Sequence, residues 1–387
     1  MNLDLILFLV FVFLIFLFYL RHKERFEIQD KVFALYRTTW GLAGMERLAK
    51  KHPRFLSFLS SLGIIIGFIG MIAMTLILIK ATFDLIFVPG APPALAPVLP
   101  GVKIAPGLPT LSFLHWIISI VIIAVIHEFS HGVIARLNNI KIKSSGFAFL
   151  GPIPAAFVEP DEKQMEKKSR KAQLGVLAAG SFSNILLGLI VIGIMAIISP
   201  FTASLLDYNG VNVVDLVDNG PLSLAGVSIG DKITKIDGND VNNINDISTV
   251  LSEKNPGDKI SLTTDKGDYD VILSDNEGKA YLGTSLSVDE VVYNERALDK
   301  YGKTGLDLIF WFSQLLFWLW VINIGVGLFN LLPLGPIDGG KMLFVSLTKF
   351  VSKENAMKTW KTVSFFLLLL LIINLLPWFI KLFNFIF

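Results

Sequence analysis

The amino-acid sequence predicts a polytopic α-helical membrane protein of about six spans with one small external α+β domain. Three observations carry this reading. The apolar fraction is 53% against 17% charged residues, with a mean hydropathy of +0.63, which is a membrane composition. Six nearly uncharged runs approach the roughly 20 residues that a helix needs to cross a bilayer core about 30 Å thick. Between the fourth and fifth of them lies a long polar stretch, Phe201 to Thr304.

The runs are Leu5 to Leu20, Ser57 to Ile79, Leu111 to Ile134, Leu174 to Ser199, Leu308 to Leu332 and Thr362 to Ile380. The first lacks the charged leader and small-residue cleavage site of a signal peptide and is read as a retained span. The 31 Phe and the Leu/Ile runs exclude a disordered, collagenous or nucleic-acid-binding chain, and a net charge of +2 is too small to imply a polyanionic partner. With no Cys there is no disulfide framework, thiolate metal site or cysteine nucleophile, so any metal must use His, Asp or Glu.

Lys and Arg near span ends stay cytoplasmic. Arg21 to Arg54, Lys141 to Lys171, and the lysines at 341, 349, 353, 358 and 361 are basic and belong inside. Asp84 to Thr110, rich in Pro and Gly and carrying only Lys103, belongs outside. So does the polar stretch, in which Asp and Glu outnumber Lys and Arg. One topology satisfies every loop and leaves both termini external.

The polar stretch alternates as short strands do over Val211 to Val217, Ile233 to Ile236, Lys259 to Thr263 and Tyr269 to Leu273, around a helix-like piece near Asp246 to Glu253. Its turn signals are Asn219-Gly220-Pro221, Leu224-Ala225-Gly226-Val227, Gly230-Asp231-Lys232-Ile233, Ile236-Asp237-Gly238 and Pro256-Gly257-Asp258. Their spacing resembles a PDZ domain, which implies a module that holds an extended peptide by adding a strand to a sheet edge. Without that resemblance the stretch reads as a generic small β-rich external domain.

Chemistry concentrates in the third span, at His127-Glu128-Phe129-Ser130-His131. Positions i and i+4 share a helix face, so both imidazoles can reach one zinc ion, with Glu128 close to the water at that ion. Ionisable residues inside a span are costly and need partners, and three within five residues are hard to explain as packing. Catalytic zinc generally takes three protein ligands. His22 and His52 lie in the cytoplasmic loop and His115 near the opposite end of the span, which leaves Asp338 as the better third candidate. It follows Asn330-Leu331-Leu332-Pro333-Leu334-Gly335-Pro336-Ile337, where a span breaks at Pro and Gly and can turn a carboxylate inward. On its own, Pro-Ile-Asp-Gly-Gly reads as a turn. Spans three and five both enter from outside, so His127 and Asp338 both fall toward the cytoplasmic side.

At this point the chain resembles the site-2 protease family of intramembrane zinc metalloproteases, in its PDZ-containing form, over roughly Leu111 to Phe344. The resemblance implies that His127, His131 and Asp338 bind one zinc ion (Zn2+) per chain, that Glu128 is the general base, and that a single-span membrane protein is cut within the bilayer. Gly180-Ser181-Phe182-Ser183-Asn184 is similar to the family's Gly-Pro-x-x-Asn segment, with Ser181 where Pro is usual. It implies a catalytic role for Asn184 as a substrate-positioning or oxyanion-stabilising amide; a helix–helix hydrogen bond is the other reading. Gly146 to Pro152 is apolar and too short to span, which suits a hairpin or re-entrant loop. In the family a comparable segment offers strand edges to an unwound substrate, and a surface-lying amphipathic turn is the alternative.

The chain then divides into 1–56 (first span, basic loop), 57–110 (second span, Pro-rich external loop), 111–200 (first half of a catalytic core), 201–300 (PDZ-like domain), 301–350 (second half of the core) and 351–387 (last span). The expected protein is a multi-pass zinc metalloendopeptidase of the cell membrane, with the PDZ-like domain external and the active site toward the cytoplasm. Its partners are the lipid bilayer, a single-span substrate and an extended peptide at the PDZ-like domain. A metal transporter or sensor using the same ligands is one rival, although His and Asp are concentrated in one place. A non-catalytic PDZ scaffold is the other, although it has no need of Glu128 between two ligands.

Overall fold

The computed structural model describes residues 3–29, 33–93, 95–102, 108–208, 210–288 and 291–386; Lys103 lies outside them. Among the described residues, six helices are long and apolar enough to cross a membrane, and each coincides with most or all of one of the six apolar runs. The chain forms two compact units, 1–195 with 313–387 and 196–312.

The first unit opens with helix α1 (Leu3–Arg21), a strand pair β1 (Phe26–Gln29) and β2 (Phe33–Thr38), and the short helix α2 (Leu42–Lys51). The long helices α3 (Pro53–Phe87) and α4 (Phe113–Leu137) follow. A hairpin, β3 (Ile142–Leu150) and β4 (Ile153–Pro160), turns at Gly151, and α5 (Glu162–Glu166) leads into α6 (Arg170–Ala203). The apolar segment 146–152 is thus a hairpin. It pairs with β1–β2 into an antiparallel sheet of order β1-β2-β3-β4, with β4 at its edge. β1, β2 and α2 are not expected from the sequence: they occupy the basic stretch read as a loop. Arg37 ties the four strands together: it donates to Glu27 at 2.7 Å and to Ser144 at 2.7 Å and pairs with Glu159.

Small residues let the helices approach closely. Gly63, Gly67 and Gly70 line one face of α3, and side-chain atoms of Phe182, Met342 and Leu331 fill the space a Cβ would occupy there. Apolar burial on this face holds α6 and the segment after residue 330 against α3.

The second unit contains β5 (Leu206–Tyr208), β6 (Val211–Leu216), α7 (Pro221–Leu224), β7 (Lys232–Ile236), β8 (Asn239–Asp240), α8 (Ile244–Ser252), β9 (Lys259–Thr264), β10 (Gly267–Ile272), β11 (Ser274–Asn276), β12 (Lys279–Tyr281), β13 (Thr284–Val288) and β14 (Val291–Tyr293). Its main sheet runs β10-β9-β7-β6-β13 with β8 on β7, around a core that includes Val213, Leu222, Ile233, Ile260 and Val271. Asp237 and Gly238 both take positive φ, 51° and 80°, which closes the two-residue β7–β8 hairpin with the twist a sheet requires. Asn243 and Asp246 form a reciprocal cap at the start of α8. This is the PDZ-like α+β domain that the turn spacing predicts.

Helix α9 (Glu295–Phe329) begins well before the predicted span and breaks at Gly302, whose φ of 64° is non-helical. It also ends three residues before the predicted limit of Leu332, because the chain turns through Pro333 and Gly335 into α10 (Asp338–Leu347). The last helix, α11 (Lys353–Ile386), packs on α3, where the buried Asn374 amide donates to Thr82 Oγ1 at 2.6 Å.

Candidate metal centre

α4 carries His127 and His131 one turn apart, their ring centroids 4.8 Å from each other. Both are nearly buried, at 8% and 9% exposure. Asp338 reaches them from the first position of α10. Its Oδ2 lies 3.1 Å from His127 Nε2 and 3.2 Å from His131 Nε2. The local chain explains how it gets there. Gly339 donates its N–H to the Asn330 carbonyl at 2.7 Å, and a Cβ at Gly339 would collide with the backbone of Leu331 and Leu332. The start of α10 is therefore folded directly onto the end of α9, and a carboxylate in the first turn of a helix is favoured by the helix dipole.

Glu128 stays close to both rings, with a carboxylate oxygen within 4.8 Å of an imidazole nitrogen of each. Its Oε2 accepts the backbone N–H of Val158 on the edge strand β4 at 2.9 Å. A cavity of about 400 Å³ opens beside these groups, lined by Glu128, His131, Asp338, Val158, Arg37 and Lys341 among others.

α6 supplies the remaining contacts. His131 Nδ1 meets the Val176 carbonyl at 2.6 Å, and His127 Nδ1 meets the Asn184 amide at 3.1 Å. Asn184 is fully buried against that ring, so its amide faces an imidazole and not the cavity that Glu128 lines. His115 is buried at the other end of α4, bonded to Ser112, and His22 bonds the Phe18 carbonyl. Sequence reasoning missed Val176 and Val158, because both act through backbone atoms. Gly180 was within reach: it stands four residues before Asn184 in the Gly180 to Asn184 segment.

The residues fit a zinc ion. Two imidazole nitrogens and a carboxylate oxygen converge on one point, and these are hard-to-borderline donors of the kind zinc takes in catalytic sites. Asp338 Oδ2 is buried and has no hydrogen-bond donor. A methyl group on Gly180 would enter the same space, lying 2.5 Å from His127 Nε2. Buried polar groups arranged in this way suit a cation between them.

Comparison with known proteins agrees with this chemistry. Residues 115–373 match peptidase family M50. The chain is 27% identical over 359 residues to an uncharacterized protein of Methanocaldococcus jannaschii, covering 88% of this chain and 85% of that one. It is 21% identical to the zinc metalloprotease RasP of Shouchella clausii, covering 58% of this chain and 62% of RasP. Over 20% of its length it is 28% identical to the PDZ domain of the SdrC-like protein of Listeria monocytogenes, covering 88% of that domain with a TM-score of 0.19. Because the family match takes in both histidines, Glu128, the PDZ-like domain and Asp338, the chain belongs to peptidase family M50, the site-2 protease family of zinc metalloproteases.

Proposed function

We propose that the protein hydrolyses a peptide bond within or near the transmembrane segment of a single-span membrane protein, with one zinc per chain held by His127, His131 and Asp338. The observation that carries this is the convergence of those three side chains from two separate helices beside a cavity that also contains Glu128. When bound, zinc polarises the scissile carbonyl and makes the attacking water more acidic. Glu128 takes the proton from that water and returns it to the leaving amine. Its hydrogen bond from Val158 holds the carboxylate toward the cavity in the meantime.

A helical peptide bond has its carbonyl engaged and its backbone shielded, so the substrate must be extended before attack. Strand β4 supports a way of doing this, since an edge strand presents unpaired backbone groups to which an extended segment can add. The PDZ-like domain, on the outside by the charge of the loops, would take an extended peptide or limit the size of substrate ectodomains. Zinc analysis of purified wild type, His127→Ala, His131→Ala and Asp338→Ala tests the ligand set. Wild type should hold about one zinc and each variant should lose it; normal zinc content and cleavage in Asp338→Ala would remove the third ligand.

A further inference from the structure

Val176, Gly180 and Asn184 recur at intervals of four, which sets them on one face of α6 over two turns. That face lies under the two imidazoles. The Val176 carbonyl takes His131 Nδ1 at 2.6 Å, the Asn184 amide takes His127 Nδ1 at 3.1 Å, and Gly180 between them leaves room for both Nε2 atoms. Both rings therefore have Nδ1 engaged with α6 and Nε2 directed at Asp338.

A neutral imidazole has one N–H and one lone pair, and a metal takes the lone pair. The Val176 carbonyl can only accept, so His131 carries its proton on Nδ1 and offers Nε2. Asn184 has two ends of equal size, and its hydrogen bonds decide which end faces the ring. The NH2 end, Nδ2, is the one placed toward His127 Nδ1; in that orientation it would drive the ring proton onto Nε2, block that atom as a ligand, and leave Asn184 Oδ1 buried without a donor. The amide oxygen toward the ring gives His127 the same arrangement as His131.

We infer that Asn184 is a positioning residue for the metal: its side-chain carbonyl accepts the Nδ1–H of His127 and fixes the tautomer that presents Nε2. This rests on the zinc reading above and replaces a direct contact with substrate, since Asn184 is fully buried and touches the ring. Hydrogen bonds of this kind orient metal-bound histidines, and losing one typically costs about 10- to 100-fold in metal affinity.

The test uses the full chain in detergent, stripped of metal, with zinc affinity measured by chelator competition and the site geometry read from the visible spectrum of the cobalt(II) form. Asn184→Leu has similar size and no acceptor; Asn184→Asp can only accept. The Leu variant should bind zinc about 10- to 100-fold more weakly with an altered cobalt spectrum. The Asp variant should bind at least as tightly as wild type with its spectrum preserved. Equal zinc affinity and identical spectra in wild type and the Leu variant would overturn the inference, and so would loss of zinc in the Asp variant. Should the Leu variant fail to fold, the Asp variant decides by itself, because an amide that had to donate could not be replaced by a carboxylate. Wild type that bound no zinc would overturn the metalloprotease site and this inference together, whereas wild type that bound zinc with variants that did not separate would overturn this inference only.

Discussion

Glu128 accepts a hydrogen bond from the backbone N–H of Val158 at 2.9 Å, which joins the carboxylate beside the two histidines to the edge strand of the sheet. A single backbone donor thus couples the group assigned to proton transfer to the strand proposed to receive substrate. Val158→Pro removes that N–H, and an edge strand tolerates proline. We expect zinc content to stay at the wild-type level and cleavage to fall about tenfold, less than the roughly 10²- to 10⁴-fold contributed by a general base. Val158→Ala keeps the donor and should cleave close to the wild-type rate. Equal rates for the Pro variant and wild type would show that the contact does not hold the base.

Gly180→Ala probes the space between the ligands. Alanine is the better helix former by roughly 1 kcal/mol, so α6 itself loses nothing from the change. The methyl group nevertheless overlaps Nε2 of both histidines. Zinc affinity should fall by about 100-fold or more, the upper range for disturbed ligand support, with helix content unchanged by circular dichroism. Wild-type zinc binding in this variant would mean that the histidines meet the metal elsewhere.

The PDZ-like domain has its own acid sensitivity. Burial would raise the Asp231 carboxyl, but the Lys266 ammonium and the Ser228 N–H, the latter at 2.9 Å, outweigh it and hold the group below the ordinary Asp value of 3.8. Because the folded-state value is the lower one, the stabilisation is complete above the unfolded value and is lost as pH falls through the folded one. Asp231→Asn should cost about 2 kcal/mol near neutrality, the scale of a hydrogen bond to a charged group. Hydrogen exchange of the β6 and β7 amides should show this gap at pH 7 and a smaller one below pH ~3.5. A gap that stays constant with pH would contradict the assignment.

A cysteine at Lys279, exposed on β12 in an otherwise cysteine-free chain, reports on topology. An impermeant thiol reagent should label it in intact cells, as the charge of the loops requires. Labelling only after lysis would place the PDZ-like domain inside and move His127 and Asp338 to the other membrane face.

The spans were legible because each buries its information locally, in an unbroken apolar run that only a helix can carry across a bilayer. The HExxH-type spacing of His127 and His131 was legible for the same reason, since four residues is a property of one helix. Strands β1 and β2 were not. β1 pairs only with β2, whose other partner β3 begins more than a hundred residues later, and four to six residues in a basic stretch carry little periodicity of their own. Asn184 was singled out by the resemblance of its segment, but the ring it meets was not legible, because which neighbour a helix face meets is fixed only by packing. The donors and acceptors on the backbone of Val158 and Val176 leave no trace in residue identity.

The central claim is that Glu128 beside a bound zinc cuts a membrane-embedded peptide bond. It is tested most directly by incubating the detergent-purified chain, wild type and Glu128→Gln, with a single-span test protein, mapping the products by mass spectrometry and measuring zinc in the same samples. The account predicts about one zinc in both proteins, a cut within or next to the apolar segment by wild type, and a rate lower by about 10² or more in the variant. Equal cleavage by the two zinc-loaded proteins would contradict it.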